Sequence, residues 1–410
     1  MLLEKKLKVA ACLRNIRFYI FCILVAFVAI SKAAIEITFG LMLFLWLIEN
    51  ILVNKWRIGR YFPKTKLNLP IAIFMVVLFL SVFNSVVFHL SLRKFFSKWV
   101  QYIMIYFFTV DTLDSKKKLK TVLWLLSAAL TLVLLDGLWQ WFAGKDLFYS
   151  NVLDGDRWLT SCYAGLSAFG SVIILAAPVV ISFLFVFSNK IIVGYRLLLI
   201  GLVFVCLLLS YSATSWIALS FSSILGMFLH RGKKNIRYTC FFWLVFLLII
   251  SVFPIFRYRI LSLKEHQIVN QTGRIQIWKQ NLKEITKNPI LGKGICTTTV
   301  EIAKTYSKYP LVIRANPHSL YLLILLEVGL LGFLAYLWIM LRAFFMVLST
   351  KKYFLSYGLL IGATAFLIVN IASTIWYERI QSLFWMILGL TAVVSKLKIP
   401  KESGLNQRKY

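Results

Sequence analysis

Apolar runs long enough to cross a bilayer alternate with short polar breaks along almost the whole chain. A hydrocarbon core of about 30 Å needs roughly 20 apolar residues per helical crossing. Twelve segments fit that pattern: 16–34, 35–54, 68–90, 95–112, 119–142, 160–187, 193–211, 213–229, 238–256, 317–345, 353–375 and 380–397. The fourth is interrupted by Lys98 and Gln101, and only Tyr211-Ser212 separates the seventh from the eighth. The pattern predicts an all-α polytopic membrane protein of about 12 transmembrane helices. Helices one to nine occupy 1–256, and one large loop carrying short amphipathic helices occupies 257–316. Helices ten to twelve occupy 317–397, followed by a tail over 398–410.

Composition agrees, with 60% hydrophobic residues and a mean hydropathy of +0.82. No stretch is left for a soluble catalytic domain, so any chemistry has to be built from helix ends and loops. A net charge of +31 would suggest nucleic acid in a soluble protein. Here Lys and Arg sit between spans, where they set topology and meet anionic headgroups, so the partner implied is membrane lipid and not nucleic acid. The six cysteines show no C-x-x-C spacing and read as small buried hydrophobes. The basic Met1–Arg17 segment lacks a small-residue cleavage site after it and reads as the start of a retained first span.

Loop charge sets an orientation. With the N-terminus inside, 28 of the 46 Lys and Arg fall on the inner side, in runs such as Lys55–Lys66 and Lys116–Lys120. Of the remaining 18, 11 lie in the long loop between Arg257 and Arg314. Loops that long translocate with little regard to charge. The comparison is then 28 against 7, which predicts both termini inside and the long loop outside.

Three outward segments carry candidate chemistry. Asp154-Gly155-Asp156-Arg157 precedes the sixth span. Asp-x-Asp pairs hold metals in transferases that use cytosolic nucleotide-sugars, but this pair is expected outside and is read without a metal. Arg157 at a membrane boundary either snorkels to headgroups or grips a phosphate, and position alone leaves both readings open. In the long loop, Thr272-Gly273-Arg274 leads into Ile275, Trp278, Leu282 and Ile285 at helical spacing, with Lys279, Lys283 and Lys287 between. Asn288-Pro289 and Gly292-x-Gly294 stop that helix, whose character suits a membrane surface. Arg274 stands at its start, where backbone N–H groups favour an anion. In Arg314-Ala315-Asn316-Pro317-His318, Asn316 suits an N-cap and Pro317 the first helical position. That puts His318 in the first turn of the tenth span. Glu327 would lie about 180° around the helix and roughly 13 Å deeper, so it reads as a buried carboxyl bonded to a neighbouring span. Asp136 is a candidate for similar interior pairing.

These segments together resemble a known signature. Thr272-Gly273-Arg274-x-x-x-Trp278, Asn288-Pro289-x-x-Gly292-x-Gly294, Asn316-Pro317-His318-Ser319-x-Tyr321 and Glu327-x-Gly329-x-x-Gly332 are similar to the O-antigen ligase and polymerase superfamily of bacterial membrane glycosyltransferases, most like the ligases. Arg157 looks like the arginine that family places before its sixth helix. The resemblance implies an enzyme of the Gram-negative inner membrane with its active site facing the periplasm and no cofactor or metal. It would transfer O-antigen polysaccharide from undecaprenyl pyrophosphate to a sugar hydroxyl of the lipid A–core acceptor, inverting the anomeric centre. By resemblance, Arg157 and Arg274 hold the pyrophosphate and His318 is the base, with Arg314, Asn316 and Tyr321 as additional site residues. The family often has an arginine before the eighth span, where this chain reads Ser212-Ala213-Thr214-Ser215-Trp216. A polysaccharide polymerase with a second lipid-linked glycan as acceptor, a protein-glycosylating transferase, and a lipid or glycan transporter are the competing readings.

The charge count generates a topology test. A single cysteine placed within 292–309 of a cysteine-free variant should react with an impermeant maleimide in intact cells, and one within 231–237 should not. The reverse labelling pattern would overturn the orientation.

Overall fold

The computed structural model describes residues 2–54, 62–153, 159–163, 166–230, 277–279, 281–296, 317–350, 354–373 and 378–397, with isolated positions between 237 and 252. The helices are α1 (Leu2–Phe27), α2 (Lys32–Asn54), α3 (Asn68–Phe83), α4 (Phe88–Lys94), α5 (Val100–Thr112) and α6 (Lys116–Ala143). They continue as α7 (Leu166–Leu184), α8 (Lys190–Leu209), α9 (Ala213–His230), α10 (Leu320–Ser349), α11 (Phe354–Val369) and α12 (Glu378–Leu397). Among the described residues there is no strand, only an isolated bridge between Lys145 and Val152. Six helices are long and apolar enough to cross a membrane, within α1, α2, α6, α8, α10 and α12. Shorter apolar helices form α3, α7, α9 and α11. The expected ninth span, 238–256, and most of the loop over 257–316 lie outside the described residues.

Local sequence explains most of the ends. Ser115 caps α6 from extended backbone, its hydroxyl accepting from the Lys118 N–H at 3.4 Å. Gly144 ends the same helix at φ 78°. The brief break at Ser210–Ser212, with Tyr211 at φ 49°, divides α8 from α9 as the sequence predicts.

Two boundaries differ from expectation. The third span ends early, at Phe83, and Phe88–Thr112 then forms one helical run with a π-helical turn over Phe95–Trp99. The polar pair Asn84-Ser85 makes the turn instead of the Arg93-Lys94 pair. Lys98 and Gln101 do not interrupt the run: Lys98 pairs with Glu36 of α2 at 2.9 Å, and Gln101 is buried. At the N-terminus, Arg17 is a buried residue of α1 and not a loop charge. It is held by Asp111 of α5 (2.5 Å) and Glu49 of α2 (3.1 Å), and Arg14 also binds Glu49. A buried guanidinium is tolerable only with such partners.

Small residues set the helix spacing. On α11, Gly358 and Gly362 lie against the backbone carbonyls of Pro178 and Leu175 of α7, so a Cβ at either position would overlap that backbone. Such small-x-x-x-small pairs let membrane helices approach closely. Gly389 brings α12 onto Thr109 and Tyr106 of α5 in the same way.

The feature that shapes the site is a break inside α10. Gly329 sits at φ 74°, ψ −171°, a conformation open essentially to glycine. In an unbroken helix the N–H groups of Leu330 and Leu331 would donate to the carbonyls of Leu326 and Glu327. Instead Leu330 donates to Pro289 (2.8 Å) and Leu331 to Ile290 (3.3 Å). The freed carbonyls of Leu326 and Glu327 accept from Lys293 and Gly294, each at 2.9 Å. The segment 289–294 is thus inserted into α10 and replaces four helical partners. Gly292 makes this contact sterically possible, since a Cβ there would overlap the Glu327–Val328 backbone.

Gly329→Ala should therefore lower the free energy of unfolding by about 3 kcal/mol or more, from backbone strain and collision with Ile290. Gly201→Ala on α8, where nothing lies within 4 Å of the added methyl, should be neutral. Thermal unfolding of detergent-solubilised protein checks the pair; equal melting temperatures would contradict the analysis.

Candidate active site at the His318 end of the bundle

The inserted segment is fixed from several sides. Ser91 donates to the Ile295 carbonyl at 2.6 Å, and Asn84 donates to the Gly292 carbonyl at 3.4 Å. A Cβ on Gly294 would meet Ser85. The α3–α4 turn is therefore the seat on which this segment rests. Lys293 is paired with Glu284, which also binds Lys287 at 2.6 Å. Burial holds the Lys293 ammonium below the usual lysine range.

Just before this segment, 277–279 and 281–285 are helical. The buried side differs from expectation at one position: Leu282 is exposed, while Asn281 is buried and donates to the Ile277 carbonyl at 2.7 Å. Trp278 does face the bundle. Its indole N–H donates to the Pro317 carbonyl at 2.7 Å, which ties Thr-Gly-Arg-x-x-x-Trp to Asn-Pro-His-Ser.

His318 lies elsewhere than sequence spacing predicts. α10 begins at Leu320 with Ser319 as N-cap in extended backbone, and its side chain makes no capping bond. Pro317 and His318 therefore precede the helix, and His318 sits at φ 50°, the left-handed region, to which histidine is among the better adapted residues. The expected N-cap at Asn316 gives way because the stretch is held by tertiary bonds. Besides Trp278 on Pro317, the Leu320 N–H donates to the Asn370 carbonyl of the α11 end at 3.0 Å. The Tyr321 hydroxyl donates to the Leu367 carbonyl at 2.7 Å. His318 is exposed between buried Pro317 and Ser319, on an anchored bend. The α10 break lies beyond Glu327, which is buried within the helical half before Gly329.

A second hub gathers the loops around 144–163. Gln140 donates to Asn151 and Thr160, both at 3.0 Å, and accepts from the N–H groups of Thr160 (3.0 Å) and Ser161 (2.8 Å). Asp136 accepts from Ser161 (2.6 Å) and the Leu147 N–H (2.7 Å), which realises the interior pairing expected of it. Asp146 accepts from the backbone of Phe148, Tyr149 and Asn151. Arg379, at the start of α12, donates to the carbonyls of Ile30 (2.7 Å) and Cys162 (2.8 Å) and stacks over Tyr163 at 4.2 Å. These bonds fix both flanks of 154–158. Arg157, Asp154 and Asp156 themselves lie outside the described residues, as do Arg274, Arg314 and Asn316. Among the described residues no group of three or more His, Cys, Asp or Glu is placed to hold a metal.

Residues 197–337 match the O-antigen ligase family. Over that stretch the resemblance to the O-antigen ligase and polymerase superfamily is borne out. No curated protein matches the chain. The O-antigen ligase match runs from α8 through α9 and the long loop into α10, and so contains Trp278, the inserted segment, His318 and the Gly329 break. Arg157 and Arg379 lie outside it. At the departure from the family's arginine, Ser212 and Ser215 are buried, bonded to each other at 2.8 Å, and packed on Gly170 of α7. Sequence reasoning singled out neither Gln140 nor Arg379. Gln140 stands between Trp139 and Trp141 near the end of an apolar run and Arg379 follows Glu378 at the start of another, and that edge position was the available signal.

Trp278→Phe keeps the ring and removes the N–H, leaving the Pro317 carbonyl without this donor. It should lower stability by about 1 kcal/mol and increase protease nicking near 317–319 in detergent, with insertion unchanged. Wild-type protection of that bend would show that Trp278 does not hold it.

Proposed function

We propose that this protein transfers a glycan from a periplasmic undecaprenyl-pyrophosphate donor to a sugar hydroxyl of lipid A–core, as an O-antigen ligase. The carrying observation is the family match over 197–337 together with His318 exposed on an anchored bend at the end of a membrane helix. In this reading the acceptor hydroxyl approaches His318, whose imidazole takes the proton as the hydroxyl oxygen attacks the anomeric carbon. The glycosidic bond to pyrophosphate breaks on the opposite face, and inversion follows. Arg157 and Arg274 pair with the departing phosphates, where a planar fork matches two oxygens. The lipid-linked donor supplies the energy, so no nucleotide or metal is needed.

Tyr321 is half-buried and donates to Leu367, which favours a positioning role for it.

In a purified assay with lipid-linked donor and lipid A–core acceptor, His318→Ala should retain folding and lose on the order of 10²–10⁴ in rate. Arg157→Ala and Arg274→Ala should each weaken donor use strongly, and lysine at either position should restore little. Chelator should leave the wild type unaffected. Near-normal transfer by the His318 variant would remove it from catalysis; substrate movement without bond transfer would favour a transporter; polymer extended on the carrier lipid would favour a polymerase.

A further inference from the structure

At the opposite end of the bundle from His318, a cavity of about 300 Å³ opens between the turn that enters α3 and the last turns of α12. Its rim carries Lys64, Thr65 and Lys66 on one side and Ala392, Ser395 and Lys396 on the other, with Met346 of α10 as the remaining wall. The proposed transfer chemistry does not use it. We propose that this cavity binds the phosphate group of an anionic phospholipid headgroup from the leaflet at that end.

The first argument is charge. Three lysines line one small concavity, no acidic residue lines it, and none of the three makes an ion pair among the described residues. Asp111 acts on Lys396 at longer range but is bound by Arg17 at 2.5 Å. Three clustered ammoniums repel one another, and a phosphate between them removes that repulsion and accepts their hydrogen bonds. Lys396 alone would be explained by the C-terminal dipole of α12. That explanation does not reach Lys64 and Lys66, which lie before the start of another helix.

The second argument is rigidity. The α3 turn is not a loose loop, because Asn68 ties it down: its amide donates to the Pro63 carbonyl and accepts from the Thr65 N–H, each at 3.0 Å. Thr65 bonds in addition to the Tyr106 hydroxyl of α5 at 2.6 Å. Lys64 and Lys66 flank this fixed residue, and both are exposed, so their charges are held at the rim and remain accessible. The third argument selects a lipid over a soluble phosphate. Met346 and Ala392 give the cavity an apolar wall, and Leu69 at the start of α3 and Phe345 beside Met346 are exposed apolar side chains on the same helices. A charged headgroup with apolar chains beside it satisfies both surfaces.

The test uses the full-length protein in zwitterionic nanodiscs doped with phosphatidylglycerol, with retained lipid counted by native mass spectrometry. Lys64→Gln/Lys66→Gln/Lys396→Gln should lower apparent lipid affinity on the order of a hundredfold. Ser395→Trp, which fills the cavity and keeps every lysine, should lower it comparably. Its failure to do so would reduce the effect to general surface charge and overturn the site. Retention unchanged in the triple variant would also overturn the proposal. Inorganic phosphate bound in a lysine-dependent way, with no preference for the anionic lipid, would assign the cavity to a soluble phosphate and refute the lipid. Because the lysines lie far from His318, glycan transfer in these variants reports separately on the proposed function.

Discussion

In a hydrocarbon core no water is at hand for a freed amide, so a helix that breaks there must receive replacement partners from the protein itself. α10 breaks at Gly329, and 289–294 supplies those partners bond for bond. The rest of the His318 end builds on this exchange. Ser91 and Asn84 seat the inserted segment from the α3–α4 turn. The helix before it is thereby brought to where Trp278 reaches the Pro317 carbonyl. His318 follows one residue later. Its location thus depends on a chain of backbone hydrogen bonds that begins well inside the bundle.

The two ends of the bundle solve different electrostatic problems. Around Gln140 and Asp136, polar loops are knitted by backbone and hydroxyl donors to Gln140, Asp136 and Asp146, and Arg379 is held by backbone carbonyls. At the other end, Arg17 is surrounded by Glu49 and Asp111. A closed set of charges of that kind locks helices together, whereas the described arginine at the His318 end, Arg379, ties loops together through backbone carbonyls.

Much of the helical layout was legible because a lipid-facing segment must be apolar along its length, so the breaks stand out. Eleven of the expected spans fall on helices, while 238–256 lies largely outside the described residues. Errors came where polarity was absorbed by the tertiary structure. Arg17, Lys98 and Gln101 looked like interruptions or loop charges, yet partners on other helices let them sit inside helices. The signature segments were legible as a set, but their junction was not. Nothing local in Glu327-x-Gly329-x-x-Gly332 reveals that the helix opens to admit Asn288–Gly294, since the bonds concerned join residues more than thirty positions apart. For the same reason the start of α10 was placed too early: Asn-Pro is a good local helix start, and Trp278 and Asn370 override it.

The inserted segment has a consequence for biogenesis. It precedes α10 in the chain, so it is synthesised before the helix that needs it. α10 can enter the bilayer as a continuous helix, with every amide satisfied by its own turn. Opening at Gly329 then requires the earlier segment to offer its own amides and carbonyls in exchange. Insertion and completion of the site thus make different demands, because only the second needs the 289–294 segment. A chain with an altered Pro289–Gly294 segment would still form its apolar helices and yet lack an assembled His318 end.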